Sequence, residues 1–214
     1  MDHRVPVTLE AMTTMTKIKL GAKELRTTIP LKEDLKKIKK NPIYIIVDNV
    51  LDTYNVGGIF RLADAVAARK VILCGQTEIP PDSRIRKASI NTTEWVSWEY
   101  KKSACKAIKK LREEFSTSLE QYSSSDQASP ENREAQRLQV IAIEQSKRSI
   151  PYDKAVYAFP IALVVGHESE GVSKEVLEIA DQIVEIPMWG VNKSLNVMVS
   201  LGIVLYEVMK QAIP

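Results

Sequence analysis

The chain has 214 residues, 44% of them hydrophobic, and 30 Lys and Arg against 27 Asp and Glu leave a net charge of +3. That is enough apolar material for the core of one moderate domain, and too small an imbalance to mark a nucleic-acid binder from composition. No apolar run nears the roughly 20 residues that cross a bilayer, and Met1-Asp2-His3-Arg4 opens no signal peptide, so a soluble, cytoplasmic protein with no membrane partner is expected.

Residues 1–40 hold ten Lys or Arg, among them Lys19, Lys23 and Arg26, against five acids, so 1–41 is read as a basic N-terminal extension. From 42 to 214 the pattern is that of a single domain. Residues 43–47 and 71–74 are short β-branched runs that read as strands, and between them Ile59, Leu62, Ala63 and Val66 recur at helical spacing. Arg84, Arg86 and Lys87 form a basic cluster in a loop, read either as a solvated surface or as a phosphate contact. A weaker alternation at 96–100 suggests another strand. Ala104, Ile108, Leu111 and Phe115 then line one face of a helix. The serine-rich stretch from 116 to about 135 predicts a surface insertion. Strands are expected at 138–143, 161–165 and 183–186, with Ser173 capping a short helix between the last two. Residues 194 to about 211 predict a final helix with Leu195, Val199, Ile203 or Val204, and Val208 inward. Repeated strand–helix units give an α/β fold with a mostly parallel sheet flanked by helices.

Three separated segments put polar residues and glycine beyond apolar runs: Asn55-Val56-Gly57-Gly58-Ile59-Phe60-Arg61, Gly166-His167-Glu168-Ser169-Glu170-Gly171, and Ile186-Pro187-Met188-Trp189-Gly190 leading to Ser194-Leu195-Asn196. Ligands of open α/β sheets bind beyond the carboxyl ends of strands, so the three predict a single pocket. Plainer readings stand beside that one. Gly57 and Gly58 could permit a tight connection with Asn55 as an N-cap, the second segment could be an ordinary βα loop, and Ser194 could cap the last helix. His167 has no evident orienting partner and is a poor base. Cys74 and Cys105 stand apart and the only histidines are His3 and His167, so no metal site is expected. The G-x-G-x-x-G, G-x-x-x-x-G-K-[ST] and G-x-S-x-G patterns are absent, which removes support for hydride transfer, nucleotide hydrolysis and esterase chemistry.

Together Asp48-Asn49-Val50 with Asn55-x-Gly57-x-x-x-Arg61, then Leu163-Val164-Val165-Gly166-x-Glu168-x-x-Gly171-Val172-Ser173, then Ile186-Pro187-Met188-x-Gly190-x-x-x-Ser194-Leu195-Asn196-Val197 resemble the three motifs of the SpoU/TrmH group of SPOUT RNA methyltransferases. The resemblance runs from about Pro42 onward. It implies a C-terminal deep trefoil knot, a homodimer formed through it, S-adenosylmethionine as cofactor, and methylation of a ribose 2′-hydroxyl in RNA, tRNA before ribosomal RNA. An RNA-binding knot protein without turnover is the other reading. Carried across, Val165, Gly166, Glu168, Gly171, Ile186, Met188, Ser194, Leu195 and Asn196 would hold the cofactor. The catalytic set would be Asn55, Arg61, Glu168, Ser194 and Asn196, with Arg61 stabilising charge on the attacking oxygen or clamping a phosphate. Arg61, Arg84, Arg86 and Lys87 would meet the RNA. The chain departs from the group's pattern at His167, where Asn is usual, at Met198, where a small residue is common, and at Ile90-Asn91, which replace Leu-Gly.

Overall fold

The computed structural model describes residues 19–123 and 137–212, the side chains of 118–123 and 212 excepted. Two short helices, α1 (Ala22–Leu25) and α2 (Lys32–Lys37), precede the domain. Then follow β1 (Asn41–Asp48), α3 (Thr53–Ala65), β2 (Ala68–Cys74), α4 (Ser83–Ser89), β3 (Trp98–Lys101) and α5 (Ala104–Ser123). The chain continues through β4 (Gln139–Ile143), β5 (Ile150–Pro151), β6 (Ile161–Val165), α6 (Lys174–Ile179), β7 (Gln182–Glu185) and α7 (Val197–Ala212).

The strands form one seven-stranded sheet in the order β3-β2-β1-β6-β4-β7-β5, and every pair is parallel. Strand order runs outward from β1 to β3 and then resumes on the other side of β1. Val47 pairs with Val165, Ile141 with Leu163 and Ile143 with Val184, which aligns the carboxyl ends of β1, β6, β4 and β7. Helices cover both faces, so the central strands are apolar throughout, and all of β6 is buried.

The period of two divides the core. Ile43, Ile45 and Val47 of β1 point into a layer with Ile59, Phe60 and Ala63 of α3 and Leu201, Val204, Leu205 and Val208 of α7. Ile46 points the other way, into a layer with Ala104, Ile108 and Leu111 of α5 and Val176 of α6. Tyr44 meets Phe115 edge to face at 5.8 Å, fixing α5 beneath β1. Cys74 is fully buried, and burial pushes its thiol up to about 12, so it is held as an inert apolar group.

The segment read as a surface insertion begins within a helix. Residues 116–123 continue α5, while 124–136 lie outside the described residues. An amphipathic face beginning at Ala104 nucleates a helix whose backbone carries on past Phe115 to Ser123.

Candidate functional site

Asp52, not Asn55, caps α3: its carboxylate accepts from the Tyr54 amide at 2.8 Å. Asn55 instead lies in the first turn, 4% exposed, with its carboxamide turned toward the carboxyl edge of the sheet. Gly57 and Gly58 are inside the helix rather than in a connection. A Cβ on Gly57 would fall 2.5 Å from that of Ala88 in α4, and one on Gly58 would fall 1.8 Å from the Met198 sulfur of α7. Both glycines therefore serve close helix packing, and Met198 fills the space that Gly58 leaves.

Beyond β6 the segment 166–171 closes on itself. His167 and Gly171 exchange backbone hydrogen bonds at 3.0 and 2.9 Å, and His167 Nδ1 accepts from the amides of Ser169 and Glu170 at 3.0 and 3.2 Å. The imidazole thus acts as the turn's internal acceptor, a task an Asn oxygen performs equally well. Gly171 has φ +72°, and a Cβ there would strike the Glu144 carboxylate. Glu144, just past β4, accepts from the Val172 amide at 2.8 Å and ties the turn to the neighbouring strand.

Glu168 projects from this turn onto the start of α3. It accepts from the amides of Leu51 at 3.2 Å and Asp52 at 3.0 Å, and from Asn55 Nδ2 at 3.0 Å. Partial burial on its own would raise the carboxyl's pKa, but the hydrogen bonds from Asn55 and the two amides outweigh it and hold the group below the usual carboxylate range. Asn55 Oδ1 in turn accepts from Asn196 Nδ2 at 2.9 Å. Asn196 also caps α7, its Oδ1 accepting from the amides of Met198 and Val199 at 3.0 and 3.4 Å. The final helix therefore begins at Val197 with Asn196 as its cap, and Ser194 lies before it. Ser173 does stand at the N-cap position of α6 but makes no side-chain capping bond; its amide donates to the buried Asp48 carboxylate at 3.0 Å.

Between these loops lies a cavity of about 470 Å³, walled by the ends of β4, β6 and β7 and the start of α7. Val165, Gly166, Glu168, Gly171, Ile186, Met188, Ser194, Leu195 and Asn196 all line it. So do Glu144 and Gln145, which motif reading missed. Their signal was positional, since they follow the apolar run of β4 as the other site residues follow β6 and β7. Glu144, Glu168, Glu170 and Glu185 line the cavity and, among the described residues, no Lys or Arg does, so a ligand bearing positive charge suits it. The volume falls in the ~300–1,000 Å³ range of small-molecule sites. Val165, Ile186 and Leu195 add apolar walls, so the cavity is polar and acidic on one part of its surface and apolar on another.

Arg61 stands elsewhere. It is exposed on α3, outside the cavity lining, six residues and about 240° around the helix from Asn55. Arg84, Arg86 and Lys87 are exposed along α4, a helix where a loop was expected. Among the described residues, no group of His, Cys, Asp and Glu has the arrangement of a metal site, and no helix is long and apolar enough to cross a membrane.

Fold and cavity define an α/β protein that receives a small ligand at the carboxyl edge of a parallel sheet. The chain belongs to the SpoU rRNA Methylase family, which it matches over residues 42–206, and within it to the SpoU/TrmH group. It is 34% identical over 184 residues to the tRNA (guanosine(18)-2′-O)-methyltransferase of Aquifex aeolicus (strain VF5), covering 85% of this chain and 74% of that one. The crystal structure of the A. aeolicus TrmH/SpoU tRNA modifying enzyme superposes with a TM-score of 0.62 at 31% identity, over 89% of this chain and 81% of the other. An AdoMet-bound rRNA methyltransferase from Sinorhizobium meliloti gives 0.62 at 25% identity, over 89% and 61%.

Proposed function

We propose that this chain transfers the methyl group of S-adenosylmethionine to a ribose 2′-hydroxyl of RNA, with tRNA as the preferred substrate and ribosomal RNA the second. The observation that carries the reading is the hydrogen-bonded series Glu168–Asn55–Asn196, whose two end residues line an acidic, adenosine-sized cavity. The names of the relatives support the RNA and ribose parts of it, and the AdoMet-bound neighbour supports the donor.

When bound, S-adenosylmethionine supplies an electrophilic methyl group on a positively charged sulfur. Main-chain groups of 165–171 and 186–196 would hold it, the glycines allowing close backbone approach. Glu168 fixes the start of α3 and the Asn55 carboxamide, and Asn196 holds the other end of that carboxamide, so these three side chains are preorganised before RNA arrives. Arg61 has no hydrogen-bond or ion-pair partner among the described residues, which leaves its guanidinium to stabilise charge on the ribose oxygen or to hold the adjoining phosphate.

The working form in this proposal is a homodimer in the cytoplasm, with the C-terminal segment threaded as the group's trefoil knot. An apolar surface supports the dimer. Trp189, Val191 and Leu195 before α7 and Val199 and Tyr206 on it are 91%, 103%, 38%, 42% and 56% exposed. The basic extension is the proposed RNA-contacting arm, with residues 1–18 outside the described residues.

Tritium from methyl-labelled S-adenosylmethionine should pass to a tRNA transcript and be recovered, after nuclease digestion, in a 2′-O-methylated nucleoside. Arg61→Ala should reduce the transfer by at least about 10²-fold with donor affinity retained. Donor binding without label in any RNA would overturn the proposal.

A further inference from the structure

Asn91 is one of the places where the chain departs from its group, and the structure gives it two partners in unrelated parts of the sequence. It is 8% exposed and has φ +63°, following Ile90 at φ +51°, so the chain turns sharply at the end of α4. Its Oδ1 accepts from Arg86 Nε at 3.1 Å, and its Nδ2 donates to the backbone carbonyl of Leu25, 66 residues earlier, at 2.8 Å. Leu25 ends α1 and sits between the exposed cations Lys23 and Arg26. Behind this contact the arm is seated on the domain: Leu20, Leu25, Leu35 and Ile38 line a cavity of about 220 Å³ together with Trp95 and Asp64. Trp95 Nε1 donates to Asp64 Oδ1 at 2.7 Å, which holds that wall.

We propose that Asn91 is a positioning residue that locks the N-terminal arm to Arg86, so that Lys23, Arg26 and the α4 cations meet RNA as one preset surface. The proposal rests on the RNA-methylating reading above. A carboxamide suits the position on two counts. It offers one acceptor and one donor at once, which Arg86 and a carbonyl together require, and Asn tolerates a left-handed backbone. With Nε held by Asn91, Arg86 is fixed in direction, and its two Nη groups, which take no partner among the described residues, are left for phosphate oxygens. Ordering the arm before RNA arrives removes an entropic cost from binding.

The test uses the full chain and two variants. Asn91→Gly keeps the left-handed backbone and removes both bonds; Asn91→Asp keeps the acceptor toward Arg86 but cannot donate to the Leu25 carbonyl. Hydrogen exchange without RNA should show amides 20–28 exchanging about tenfold faster in both variants. Affinity for a tRNA transcript should fall about tenfold in Asn91→Gly, and the slope of log K against log salt should shrink by about one. Calorimetric affinity for S-adenosylmethionine should not change. Unchanged exchange of the arm would overturn the lock. Faster exchange with undiminished RNA affinity and slope would overturn its role in binding. A wild-type chain with no RNA affinity would instead overturn the functional reading, and the binding role with it, while the exchange result still decides whether the arm is locked.

Discussion

Glu168 joins the turn after β6 to the start of α3. Its two oxygens take three donors, two of them amides at the start of α3 and the third the Asn55 carboxamide. Glu168→Gln retains the shape but turns an NH₂ toward one of those donors, and the lost alignment should lower kcat on the order of 10²-fold, with a smaller change in donor affinity measured by calorimetry. A pH dependence follows with a definite sign. The folded carboxyl lies below its ordinary value of 4.5, so its stabilisation is complete above that value and is lost as pH falls through the lower folded one. Chemical denaturation at pH 7 and at pH 3.5 should show a larger stability difference for the wild type than for Glu168→Gln; equal differences would mean that the carboxylate carries none of the acid sensitivity.

Among the elements, α7 has two faces with different tasks. Leu201, Val204, Leu205 and Val208 are fully buried against the sheet and α3, whereas Val199 and Tyr206 face out. Val199→Glu should therefore leave the melting temperature of the single chain nearly unchanged, within about 0.5 kcal/mol of stability. If the proposed homodimer forms through this face, the substitution should halve the mass seen by light scattering, and a variant that keeps the wild-type mass would overturn the face as the contact. The same helix shows what was legible in the sequence. Its position and length could be read from apolar periodicity, but Leu195 and Val199 were expected inside, because periodicity marks apolar residues without telling a core from a face left for a partner. Six of the seven strands were found to within three residues, since β-branched runs buried on both faces have few other uses, while the two-residue β5 (Ile150–Pro151) was missed because it is too short to carry a pattern. Helix caps were harder to read. Asn55, Ser173 and Ser194 all have cap chemistry, yet Asp52 and Asn196 do the capping, because Glu168 and Asn196 engage the Asn55 carboxamide from 113 and 141 residues away. The gathering of the cofactor residues was legible because strand-end loops of a parallel sheet share an edge. Glu144 was not, because it belongs to no motif.

On the scale of the whole molecule, charge is divided between surfaces. The cavity lining is acidic, while the exposed faces of the arm and α4 carry Lys23, Arg26, Arg84, Arg86 and Lys87. A cationic donor and a polyanionic substrate are thereby attracted to different regions of one small protein with a net charge of only +3.

The long reach of the Asn55 bonds also bears on how the chain matures. Asn55 cannot be held by both partners until a segment 141 residues downstream has arrived and α7 has packed over α3. Contacts of such separation form slowly. During renaturation from urea, helical circular dichroism should therefore return before affinity for S-adenosylmethionine, and simultaneous recovery would refute the ordering. On the ribosome, a nascent chain interrupted before Asn196 would carry every strand of the sheet and most of the cavity wall, but would lack the start of α7 and the carboxamide that holds Asn55.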